Sequence, residues 1–170
     1  MSWILTESGK RFDFLRPFAS IDIRDIAGAL SKMCRFTGHC RTFYSVASHC
    51  VLVSHLVPEQ YAFEALMHDA HEAYVGDVST PLKSLLPDYQ ILETSIEHAV
   101  RRFFGLSFEL SSLVKDADRR ACTIERSLLL PDHPDWPSDA GVAHHNYVYG
   151  DNPLDSRRRF LTRFLELYSE

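Results

Sequence analysis

The chain lacks a Cys-x-x-Cys pair. Its four cysteines, Cys34, Cys40, Cys50 and Cys122, stand at other spacings. Zinc-finger and thioredoxin-type chemistry are therefore excluded, and reduced thiols packed as small hydrophobes are expected. Positive charge is not in excess either. Lys and Arg number 18 against 23 Asp and Glu, a formal net charge of -5, so no overall attraction to duplex nucleic acid is expected. No apolar run is long enough to span a bilayer, so no membrane partner is expected. The start, MSWILTESGKRFDF, has no basic segment followed by an apolar one as in a secretory signal. The expected setting is the cytoplasm (a host's, if a phage encodes the chain). There is no internal repeat and no low-complexity tract. With 170 residues, 45% of them hydrophobic and 24% charged, the chain reads as one globular domain over residues 1–170.

What is present is helical periodicity. Residues 3–14 alternate loosely around Ser8-Gly9-Lys10, which suggests a short hairpin. Asp22 is a candidate cap for a helix running through Ile23, Ile26, Ala27, Leu30 and Cys34, with Gly38 as its stop. A second helix is predicted over 42–56, with Val46, Cys50, Val53 and Val57 as its stripe and Pro58 beyond it. A third is predicted over 59–74, with Gly76 after its end. Thr80-Pro81 reads as a cap followed by proline at the first helical position, and the helix from Pro87 turns Leu92, Ile96, Ala99, Val100 and Phe103 inward. Ser111 or Ser112 caps a helix with Val114, Ala117, Ala121, Ile124 and Leu128 on one side. Residues 131–137 form a proline-rich loop, 143–149 read as extended, and Asn152-Pro153 opens a last helix with Leu154, Phe160, Leu161, Phe164 and Leu165. Apolar faces at this spacing can bury only against one another, which predicts an all-α bundle.

The chemistry concentrates in MHDAHEAYVGDVSTPLK, residues 67–83. On a continuous helix His68, Asp69 and Glu72 share an arc opposite the apolar face, and Asp77 follows just past a glycine. His49 flanks the buried stripe of its own helix. Asp118 borders Val114, Ala117 and Ala121, and a carboxylate on that inward side needs a cation to offset the cost of burial. His49, His68, Asp69 and Asp118 thus make a plausible N2O2 centre. That donor set suits Zn, Mn, Fe, Co or Ni better than Ca.

The ordered set His49, His68-Asp69, Asp118 resembles the H…HD…D signature of the HD-domain superfamily of metal-dependent phosphohydrolases. The segments CRFTGHCRTFYSVASHCVLV (34–53), HDAHEAYVGDVSTPLK (68–83) and VKDADRRACTIER (114–126) resemble the subgroup of bacterial 5'-deoxynucleotidases and small phage-type dATP triphosphohydrolases. The resemblance covers about residues 20–130. It implies a compact helical bundle of the HD type and a divalent metal (Zn, Co, Mn, Fe or Mg) held by His49, His68, Asp69 and Asp118. It also implies catalytic carboxylates at Glu72 and Asp77, with a second metal near them, and phosphate contacts from Arg35, Lys83 and, more weakly, Lys115. Homo-oligomers are implied as well. His71 departs from the small residue expected after the pair, and is read as an exposed polar side chain.

The expected activity is hydrolysis of a nucleotide, a dNTP to deoxynucleoside and triphosphate or, alternatively, a dNMP to deoxynucleoside and phosphate. Phe36, Ile21 and Trp3 are candidate walls for a base pocket. Two rivals stand beside it. One is a non-catalytic nucleotide sensor, which has no use for Glu72 and Asp77. The other is an HD-type di-iron oxygenase, which would draw on His71, His39 and His55.

Overall fold

The computed structural model of the protein describes residues 1–136 and 152–168. The extended segment expected over 143–149, and Pro137 at the end of the proline-rich loop, lie outside the described residues. The described chain is mostly helical, with one short two-stranded sheet. No helix among the described residues is long and apolar enough to cross a membrane.

Strands β1 (Trp3–Leu5) and β2 (Arg11–Asp13) pair antiparallel with Ile4 opposite Phe12. The turn between them uses Gly9 at φ 79°, a left-handed conformation that glycine adopts without steric cost. Phe12 is the buried side of this hairpin and stacks on Tyr74 with ring centroids 3.8 Å apart. The Tyr74 hydroxyl accepts from the Asp22 amide at 3.3 Å. Asp22 caps α1 (Ile23–Leu30) by accepting from the Arg24 amide. The helix stops short of Cys34 because Cys34 pairs with Ser45 in an isolated extended bridge. That bridge, together with the Arg35 amide donating to the Tyr44 carbonyl, keeps residues 42–45 out of the next helix.

Helix α2 (Val46–His55) therefore begins later than predicted, capped by Ser45. All its residues from Val46 to Ser54 are buried, as befits a central helix rather than a surface one. It packs against α3 (Glu59–Leu66), α7 (Ser112–Leu129), α8 (Pro153–Leu167) and α1. Its two sides feed two apolar clusters, one around Ile26, Leu30, Cys50, Ile96 and Phe160, the other of Leu52, Val53, Ala65, Val114, Ala117 and Ala121.

The single helix predicted over 59–74 is two. After α3 the chain winds through successive i→i−3 bonds (Ala70 to Met67, Glu72 to Asp69, Tyr74 to His71) before α4 (Glu72–Val75). The short α5 (Thr80–Lys83) has Ser79, not Thr80, at its cap position, and Leu82, Leu85 and Leu86 around it are exposed. In α6 (Pro87–Phe103) Ile96 and Val100 face inward as expected. Phe103 does not, and Phe104 is buried in its place. Ser111 caps α7, where Leu129 rather than Leu128 reaches the core. Asn152 caps α8, whose Phe160 and Phe164 are buried while Leu154 and Leu165 are exposed.

Candidate metal centre

His49 is fully buried in the middle of α2, on the side that meets α7 and the turn after α3. Its Nδ1 donates to Glu125 Oε1 at 2.7 Å. His68 follows the last turn of α3, and its Nδ1 donates to the Ala65 carbonyl at 2.7 Å. A carbonyl can only accept, so the His68 proton sits on Nδ1. An ionised carboxylate can only accept, so the His49 proton does the same. Both rings are thereby fixed in the tautomer that leaves Nε2 as a lone pair, the arrangement that second-sphere partners impose on metal-ligating histidines.

Those two Nε2 atoms face each other at 3.3 Å. Asp118 Oδ1 lies 3.1 Å from His49 Nε2, and Asp69 Oδ2 lies 3.1 Å from His68 Nε2 and 3.5 Å from His49 Nε2. In the neutral rings two nitrogen lone pairs and two carboxylate oxygens thus converge, and only protons or a cation between them can hold the four together. One proton can bridge two of the four, whereas a divalent cation can take all of them. Donor atoms about 2.0–2.2 Å from a common ion stand roughly 3–3.6 Å apart, and most of these separations lie in that range. The residues present fit a metal. Cys50 adjoins His68 and Asp69, and burial pushes its thiol up to about 11, so without an ion it stays neutral.

The electrostatics follow from this crowding. Burial opposes charge on His68, but the Asp69 carboxylate overrides it and holds the imidazole well above its ordinary value. Burial and Arg35 push His49 down, and Glu125 and Asp118 together raise it. Asp69, although desolvated, is held down chiefly by His68, and Asp118 likewise by His49. Glu72 is the opposite case. Burial, then the charges of Asp69 and Asp77, push it well above the carboxylate range, against the pull of Arg35 and Lys83. Its Oε2 is buried without a hydrogen-bond partner. Asp77 is raised by burial, against Arg35.

A cavity of ≈ 550 Å³ opens from these groups, with Asp69, Glu72, Asp77 and Asp118 on its wall beside Arg35 and Lys83. The i→i−3 winding explains the placement. At three residues per turn, side chains three apart eclipse, so Asp69 and Glu72 both reach the cavity while His68 and His71 both turn inward. His71 is accordingly buried, not exposed, with Nε2 3.7 Å from Glu93 Oε1. It forms a second group of close donors with Glu72 and Glu93. His39 and His55 are exposed. Asp118 also differs from expectation. Its side chain is 41% exposed and faces the cavity, while the neighbouring Ala117 and Ala121 take the core.

Arg35 reaches Glu125 Oε2 at 3.3 Å and Asp77 at 3.9 Å, and Lys83 pairs with Glu93 at 2.6 Å. Lys115 is exposed and is not among the lining residues. It shares the angular position of Cys122 on α7 but lies seven residues, about 10 Å, toward the helix N-terminus, past the end of the cavity. Arg119 lines the wall instead. Of the suggested base-pocket walls Phe36 lines the cavity; Ile21 is in the core and Trp3 lies against Arg11. Phe36, Thr37 and Gly38 take consecutive left-handed conformations (φ 52°, 55° and 83°), a turn that follows Arg35 and carries Phe36, both of which line the cavity. Sequence reasoning missed Trp136, which lines the cavity, and Glu125. The latter lies seven residues after Asp118, two turns along the same face of α7, and in the sequence it is indistinguishable from a solvated acid.

No family model matches the chain. It is 49% identical over 144 residues to the uncharacterized protein YfdR of Escherichia coli (strain K12), a match spanning 84% of this chain and 81% of that protein. It is 35% identical over 138 residues to an uncharacterized protein of Rhodobacter capsulatus, spanning 75% and 70% respectively.

Proposed function

This chain belongs to the family of Escherichia coli YfdR, and from the geometry of the candidate centre we propose that it is a metal-dependent phosphohydrolase of the HD-domain type acting on deoxynucleotides. The substrate is a dNTP of the dATP kind, cleaved to deoxynucleoside and triphosphate. The observation that carries this reading is the pair of Nε2 lone pairs opposed at 3.3 Å, each ring's other nitrogen already engaged, with Asp69 and Asp118 beside them. His49, His68, Asp69 and Asp118 would hold the divalent ion. Bound there, it supplies a water of lowered pKa and polarises a phosphoryl oxygen.

Glu72 takes the proton from the attacking water. A base working near neutrality needs a raised pKa, and burial beside Asp69 and Asp77 gives Glu72 one. The water oxygen attacks the α-phosphorus, the bond to the 5' oxygen breaks, and the deoxynucleoside leaves with that oxygen, which takes up a proton from solvent. Arg35 and Lys83 meet the phosphate oxygens, since phosphoryl transfer is mostly positioning and charge stabilisation. Glu72 and Asp77, close and both raised, also offer a place for a second ion. The cavity volume is in the range of small-ligand sites. The resemblance further suggests a homo-oligomer.

One observation favours a monophosphate substrate instead. Four lining carboxylates (Asp69, Glu72, Asp77 and Asp118) outnumber the lining cations Arg35, Lys83 and Arg119, which suits a less charged ligand. Both readings break the same bond, so products decide between them. Purified protein is incubated with each deoxynucleoside mono- and triphosphate in Mn, Co, Zn or Mg, and products are resolved by chromatography. Metal-dependent appearance of deoxyadenosine with triphosphate supports the main reading. Deoxyadenosine with phosphate from dAMP alone establishes the second. No product with any substrate and metal overturns both.

A further inference from the structure

Glu125 is fully buried, and each of its carboxylate oxygens has a different partner. Oε1 accepts from His49 Nδ1 at 2.7 Å, and Oε2 accepts from Arg35 Nη2 at 3.3 Å. One of these partners belongs to the candidate metal centre, the other to the cavity wall. We propose that Glu125 is a positioning residue that couples cation binding at His49 to anion binding at Arg35, so that each ligand strengthens the other. The proposal rests on the metal-centre reading above but not on turnover.

The coupling follows from competition for one carboxylate. When His49 Nε2 holds a cation, its Nδ1–H becomes a stronger donor and draws Glu125 toward the ring. The longer contact, to Arg35, yields first. Among the described residues Arg35 then keeps its ion pair with Asp77 at 3.9 Å and the Phe36 ring beneath it, and its guanidinium, an Arg fork suited to bidentate oxyanion contact, is released toward the cavity that it lines. An anion that engages Arg35 acts in reverse and leaves Glu125 to His49 and the neighbouring Tyr44 hydroxyl. By thermodynamic linkage the two effects are equal in size.

The test measures Mn2+ affinity, with free Mn2+ read by electron paramagnetic resonance, in the absence and presence of sub-millimolar inorganic phosphate. In the parent protein phosphate tightens Mn2+ binding, on the order of tenfold. Direct contact between the two ligands contributes part of this ratio in every variant. In Glu125→Gln the ratio falls, to the same value as in Arg35→Gln, and the double variant falls no further. Arg35→Gln probes the arm from the cavity side and covers the case in which Glu125→Gln does not fold. The proposal is overturned if Glu125→Gln weakens Mn2+ binding but keeps the full phosphate ratio, since Glu125 would then only orient His49. It is equally overturned if Arg35→Gln keeps the parent ratio. Failure to hydrolyse any nucleotide would refute the proposed activity and leave these ratios intact.

Discussion

At the scale of single residues, Glu72 is the side chain on which the proposed chemistry turns. It is buried, one oxygen lacks a partner, and its neighbours raise its pKa. It is not one of the four groups that converge on the candidate ion. Glu72→Gln is therefore expected to keep metal binding within a few-fold of the parent while lowering kcat by about 10²–10⁴, checked by metal titration and steady-state kinetics on the same preparation. In the proposed reaction the acid limb of the rate profile is assigned to this carboxyl, which must be ionised to accept a proton. Because Asp77 is one of the charges that raise it, Asp77→Asn lowers the Glu72 pKa and moves the acid limb to lower pH. A limb that stays in place or moves up would assign the titration to another group.

At the scale of elements, the sequence showed more of the scaffold than of its joints. Caps at Asp22, Ser111 and Asn152 were legible because each is a short polar side chain just before an apolar periodic run. The break after Leu66 was not, since MHDAHEAY carries no glycine or proline and winds equally well as a helix. The His68 ring bonded to the Ala65 carbonyl and the i→i−3 bonds that follow decide the matter. That tighter winding is also why His71 turned out buried. The Asp22 cap carries a prediction of its own. It accepts from the Arg24 amide and pairs with Lys10 of the hairpin, and its pKa is lowered chiefly by the Arg24 side chain. Asp22→Ala is expected to destabilise the fold by about 1 kcal/mol through the lost cap alone, measured by urea unfolding at neutral pH. A carboxylate whose pKa is depressed in the folded state stabilises that state above its unfolded value, about 3.9. Its contribution is lost as pH falls below that point, so parent and variant should converge in stability in acid.

At the scale of the whole molecule, the candidate centre draws on α2, the turn after α3, and α7, which approach one another around His49. The candidate ligands were legible because His and Asp are conspicuous against apolar helix faces. Glu125 was not, since a glutamate on α7 looks like any solvated acid until the fold buries it completely. An ion at the junction of three elements binds the folded chain and not the unfolded one. At a hundredfold excess over its Kd it stabilises by about 2.7 kcal/mol, which for a domain of this size is roughly 5–10 °C in Tm. Chelation by EDTA should lower Tm by that amount, re-addition of Mn2+ should restore it, and His68→Ala should be insensitive to both.

The most direct measurement of the central claim is an anomalous-scattering map from crystals of the protein soaked in Mn2+. The account expects a peak between the Nε2 atoms of His49 and His68, about 2.0–2.2 Å from each, with Asp69 and Asp118 oxygens completing its shell. A saturated soak that leaves that point empty, or that places its peak away from both imidazoles, would contradict it.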